Sequence, residues 1–125
     1  MTRAEMIKDQ LREGGFNFLG VYLETKNASI VLLSEGEDQL GTLAVAVPPA
    51  SETSIPPLSS VLMGDRNTTT ARALAEKLAA KTSKIGFVSI YLKSVTEAEA
   101  APFLLRLFEK VTQAKPVMGE ESVQV

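Results

Sequence analysis

Apolar positions along this chain follow two periods, and the change of period separates a strand-rich first half from a second half carrying helices. Phe16 to Leu23 and Ala28 to Leu33 are aromatic, branched and aliphatic runs separated by polar Glu24-Thr25-Lys26-Asn27, which predicts a hairpin. Glu35-Gly36-Glu37-Asp38 supplies the next turn. Gly41 to Val47 then sets Leu43, Val45 and Val47 against Thr42, Ala44 and Ala46, and reads as the third strand of a meander. Pro48 to Pro57 holds four of the six prolines, too polar for a core and unable to pair regularly, so it predicts a surface loop within one domain. Val61-Leu62-Met63 ends a short fourth strand.

Beyond Gly64-Asp65-Arg66-Asn67-Thr68, residues Ala71, Leu74, Ala75, Leu78 and Ala79 fit the i, i+3, i+4, i+7, i+8 stripe of an amphipathic helix. Ile85 to Leu92 is the strongest strand, apolar on both sides: Phe87 and Tyr91 with Ser89 on one, Val88, Ile90 and Leu92 on the other. Thr96 and Glu99 have the spacing of a capping box for a last helix striped by Leu104, Leu107, Phe108 and Val111. Pro102 favours a start nearer Glu99, which would put the proline in the first turn. Ahead of Gly14-Gly15, the spacing of Ala4, Ile7 and Leu11 predicts a short amphipathic helix or an unstructured leader over residues 1–15. Residues 16–113 then form one α+β domain, a mostly antiparallel sheet flanked by two helices in its C-terminal half, and residues 114–125 form a disordered tail.

The strongest strands are apolar on both faces: Phe16 and Phe18 lie opposite Leu19, Val21 and Leu23 just as Phe87 lies opposite Val88. A sheet with one wet face should alternate apolar with polar. Two helices cover one face, so either the sheet folds back as a sandwich or a partner chain completes a dimer.

Composition narrows the chemistry. The chain of 125 residues has no Cys and no His, which removes thiolate nucleophiles, disulfides, imidazole acid–base chemistry and the commonest zinc ligands. A net charge of −2 with scattered Lys and Arg argues against nucleic acid. The apolar runs are too short and broken to span a membrane, and no signal-peptide pattern opens the chain, which leaves a cytosolic protein small enough to enter the nucleus. The carboxylate groups Glu35/Glu37/Asp38, Glu97/Glu99 and Glu120/Glu121 fall in predicted turns, a helix start and a tail, where acidic residues are ordinarily solvated. The turn Gly64 to Thr70 could present helix amides to a phosphate, but Asp65 would repel it, and capping by Asp65 or Asn67 is the better reading. Neither an enzyme nor a cofactor is expected.

A colinear series carries a further signal: Leu43-Ala44-Val45-Ala46-Val47, Ser54-Ile55-Pro56, Leu62-Met63-Gly64-Asp65, Thr68-Thr69-Thr70, Leu74-Ala75-Glu76-Lys77-Leu78-Ala79, Lys81-Thr82 with Lys84, and Phe87-Val88-Ser89. In order and spacing it resembles the proteasome assembly chaperone 4 family. The resemblance implies an antiparallel sheet with two helices. It also implies a dimer with a proteasome assembly chaperone 3-like partner or with itself. Such a dimer would escort proteasome α-type subunits during assembly of the core-particle α-ring. On that reading Phe87, Ser89 and Tyr91, with Phe16 and Phe18, are candidate interface residues, while Val88, Ile90 and Leu92 face the helices. A roadblock- or longin-like dimeric scaffold for a GTPase or trafficking complex fits the same size, charge and apolarity.

Overall fold

A computed structural model describes residues 3–48 and 58–113, so most of the proline loop and the expected tail lie outside the described residues. Eight elements follow in order: β1 (Glu5–Glu13), β2 (Phe16–Glu24), β3 (Ala28–Glu35), β4 (Thr42–Val47), β5 (Leu58–Met63), α1 (Thr68–Thr82), β6 (Ile85–Tyr91) and α2 (Glu97–Gln113). The strands form one six-stranded sheet in the order β1-β2-β3-β6-β4-β5, antiparallel throughout except for the β3–β6 pair. The expected α+β class, with a mostly antiparallel sheet and two helices, is the class observed.

The N-terminal helix is not. Residues 5–13 are a strand that pairs with β2 along its whole length, from Glu5 opposite Glu24 to Glu13 opposite Phe16. Ile7 and Leu11 are four apart, a spacing that keeps them together on a helix and equally on a strand. Gly14-Gly15 decides between the two. Both glycines have positive φ, 62° and 82°, in a two-residue connection, the geometry of a tight hairpin turn and not of a helix stop.

The meander is also rearranged. β6 inserts between β3 and β4, so the segment after β3 must cross about two strand spacings, roughly 10 Å, before β4 begins. Residues 36–41 make that crossing over the end of β6, tied by the Gln39 N–H to Ser34 Oγ at 3.2 Å and the Gly41 N–H to Ser89 Oγ at 2.8 Å. A side chain at position 41 would begin 2.1 Å from the Ile90 carbonyl oxygen, so only glycine fits there.

Both helices pack on one face. Ala71, Ala75 and Ala79 of α1 meet the small Ala44 and Ala46, so helix and sheet approach closely, while Leu104, Leu107, Phe108 and Val111 of α2 fill the space over β1 to β3. Val31, Leu33, Val88 and Ile90 complete this fully buried layer. Phe18 belongs to it as well: it is 0% exposed and stacks on Phe103 of α2 with ring centroids 5.7 Å apart. It is therefore core, not interface. Phe16 lies on the same helix-side face, 39% exposed at its edge, with its ring 6.3 Å from that of Phe18.

α2 starts at Glu97, two residues before the position that Pro102 suggested. The Thr96–Glu99 box forms reciprocally: the Glu99 N–H donates to Thr96 Oγ1 and the Thr96 N–H to Glu99 Oε1, each at 3.2 Å. Pro102 consequently sits in the second turn. The carbonyl it leaves without a helical donor belongs to exposed Ala98, where water can serve.

Candidate protein-binding face

Among the described residues, the opposite face of the sheet carries neither a helix nor a second layer. The strand register lays its side chains out in rows. One row crosses all six strands as Met6, Leu23, Ile30, Phe87, Val45 and Ser60; the next runs Lys8, Val21, Leu32, Ser89, Leu43 and Met63. A shorter row joins Gln10, Leu19, Ser34 and Tyr91. Leu19, Val21, Leu23, Ile30, Leu32, Leu43, Val45, Phe87 and Tyr91 are all half-buried: they shield one another but nothing shields them. Contiguous apolar patches of this extent are candidate interaction surfaces.

This is the side on which Phe87, Ser89 and Tyr91 lie, while Val88 and Ile90 point at the helices and Leu92 packs partly against the core. Ser89 is an exception in availability. Its side chain faces the open side, yet it is fully buried under the crossing segment and accepts the Gly41 N–H. Of the five candidate interface residues, the structure brings Phe87 and Tyr91 onto one accessible surface, covers Ser89 there, and sends Phe16 and Phe18 to the other face.

The rim of this face is charged. β1 sorts its charges by side: Lys8 and Arg12 stand on the open face, whereas Glu5, Asp9 and Glu13 point toward α2. There Glu13 accepts two hydrogen bonds from Arg106, at 2.9 and 3.0 Å, and Asp9 lies 3.5 Å from Lys110 Nζ. Between Lys8, Gln10, Leu19, Val21 and Asp38 of the crossing segment is a shallow hollow of about 330 Å³. Apolar rows bounded by the basic side chains Lys8 and Arg12 on one flank and by an acidic segment on another suit recognition of another protein surface.

The turn before α1 holds an anion of the chain's own. Glu97 Oε2 accepts the Thr70 N–H at 2.9 Å and the Thr70 hydroxyl at 2.7 Å. The helix terminus is thus capped from α2, and not by the side chains of Asp65 or Asn67. Asn67 occupies the cap position at φ 60° but makes no side-chain cap hydrogen bond. Gly64 is required by packing, since a Cβ there would stand 2.4 Å from Thr42 Oγ1. A phosphate would have to displace Glu97.

Glu35, expected to be solvated, is buried at the end of β3. Its Oε1 accepts the backbone N–H groups of Lys93, Ser94 and Val95 at 2.7, 2.9 and 3.2 Å, and its Oε2 accepts the Ser94 hydroxyl. Burial pushes its pKa up, but the Ser94 hydroxyl and the three amides outweigh burial and hold the carboxyl at about 2. This clamp fixes the β6–α2 connection. Its partners lie about sixty positions away, beyond any local sequence signal.

The profile of the proteasome assembly chaperone 4 family matches residues 18–92, from within β2 to just past the end of β6. Comparison with curated proteins finds no match. Among solved structures, a chain from a crystal structure of a chaperone complex for yeast 20S proteasome assembly superposes with a TM-score of 0.65. It is 15% identical, and the superposition covers 88% of this chain and 92% of that one. At that identity the structural likeness establishes the fold, whereas the profile spans more than half of the sequence and carries the family. The chain belongs to the proteasome assembly chaperone 4 family.

Proposed function

We propose that this chain is a non-enzymatic assembly chaperone that dimerises through its open sheet face and escorts proteasome α-type subunits into the α-ring of the core particle. The observation that carries the reading is the row Leu23, Ile30, Phe87 and Val45, apolar across four neighbouring strands and without a covering layer among the described residues. A second sheet stacked about 10 Å away would bury it, with the helices of each chain facing outward. The partner is a structurally similar chaperone or a second copy. Action follows from shape: the pair holds one subunit in register and obstructs wrong neighbours, a role that calls for no acid–base or nucleophilic step.

The test is recovery of the tagged chain from its native lysate, beside a Phe87→Glu variant, with the companions identified by mass spectrometry. Wild type should bring α-type subunits and a second small chaperone, and the variant should lose both. Recovery of small GTPases or trafficking subunits in their place would favour the scaffold reading.

A further inference from the structure

The two edges of the sheet differ in a way that the open face does not explain. β1 carries Glu5, Lys8, Asp9, Arg12 and Glu13, so a foreign strand would meet charge along its whole length, a common protection of edges. β5, at the other edge, is Leu58-Ser59-Ser60-Val61-Leu62-Met63 and has no charge at all. Leu58, Leu62 and Met63 are 78%, 55% and 45% exposed. The nearest charges on the overlying helix, Arg72 and Glu76, are opposite in sign and both engaged on the Ser59 hydroxyl, so the flank is neutral too.

The central residues of β5 read nearly the same in both directions: Leu58-Ser59-Ser60-Val61-Leu62. An antiparallel strand of the same sequence, centred on Ser60, sets Ser60 against Ser60, Ser59 against Val61 and Leu58 against Leu62. Directly opposed residues must share a face, and this register meets that rule for Ser59 and Val61, which are both on the helix side. A neutral edge also meets its own copy without repulsion, which the β1 edge could not do in every register.

We propose that β5 pairs antiparallel with β5 of a second copy of this chain about a two-fold axis through Ser60, making one sheet continuous across two molecules. The pairing uses the backbone edge of β5, at the margin of the open face where Ser60 and Met63 end the rows, and leaves the central rows over β2, β3, β6 and β4 free on both copies. Two face-paired units could then be joined edge to edge.

Absence of cysteine from the chain allows a direct test on the full-length protein. Opposed residues on antiparallel strands have Cα atoms about 4.5–5.5 Å apart, within the range that a disulfide spans. Under mild oxidation Ser60→Cys should convert to a covalent dimer. Leu58→Cys, although 78% exposed, should convert at least about tenfold more slowly, because its two copies would lie four residue steps apart along the strands. Repeating the experiment in a Phe87→Glu background separates the edge from the open face, and the Ser60 cross-link should persist there. Equal rates at positions 58 and 60, no cross-link at either, or loss of the Ser60 cross-link with Phe87→Glu would each overturn the pairing. So would a Ser60→Lys change, made in the Phe87→Glu background, that leaves the mass at high concentration unchanged by sedimentation.

Discussion

The two faces of this sheet are made of the same kinds of residue and have opposite fates. Val88 and Ile90 are buried beneath α1 and α2, while Phe87 and Tyr91, one position along the same strand, remain half-exposed. The difference lies in what covers them, not in their hydrophobicity. A helix-covered face stabilises the monomer, whereas an equally apolar uncovered face stores association energy that is released only when another surface arrives. Substitutions on the two faces should therefore separate stability from binding.

The largest effect should come from the closed face. Phe18→Ala removes a fully buried ring from its stack on Phe103 and should lower stability by about 3–5 kcal/mol in urea unfolding. Phe87→Ala, equal in chemistry, should leave the monomer within about 1 kcal/mol of wild type, with its cost appearing in association. Equal losses of monomer stability would erase the distinction between the faces.

Next is the Glu35 clamp. The folded pKa of about 2 lies below the ordinary 4.5, so its contribution is fully present above about pH 4.5 and is lost as pH falls toward 2. A shift of that size corresponds to about 3 kcal/mol. Glu35→Gln should lower stability at neutral pH by about that amount and flatten its dependence between pH 2 and 4.5, measured by unfolding across that range. Unchanged pH dependence would show that the clamp contributes little.

A smaller effect is expected at the start of α1. Glu97→Ala frees the Thr70 amide and should cost about 1 kcal/mol, seen as faster hydrogen exchange confined to the first turn. Smallest of all is Arg106→Ala, because its pair with Glu13 is exposed, and its thermal midpoint should match wild type within error.

The same contrast explains what the sequence made legible. α1 was readable because one helical stripe, Ala71 to Ala79, faces one core, and all five of its residues are buried. The Thr96–Glu99 box was readable because capping is local. β1 was not, since Ile7 and Leu11 satisfy both periods and only the positive φ of Gly14 and Gly15 separates them. Strand order was hidden because the pairing of β3 with β6 joins segments more than fifty residues apart. Phe18 was assigned to the wrong face for a related reason: where both sides of a strand are apolar, alternation cannot say which one the helices will cover. Glu35 and Glu97 were read as solvated because their partners come from distant turns of the chain.

The most direct test is the mass of the Phe87→Glu variant in solution, alone and with a similar chaperone partner, by sedimentation equilibrium alongside circular dichroism. A charge in the middle of the open rows should prevent face-to-face association while the spectrum and thermal transition remain those of a folded chain. Full association by the variant, or loss of its fold, would contradict the assignment of this face to binding.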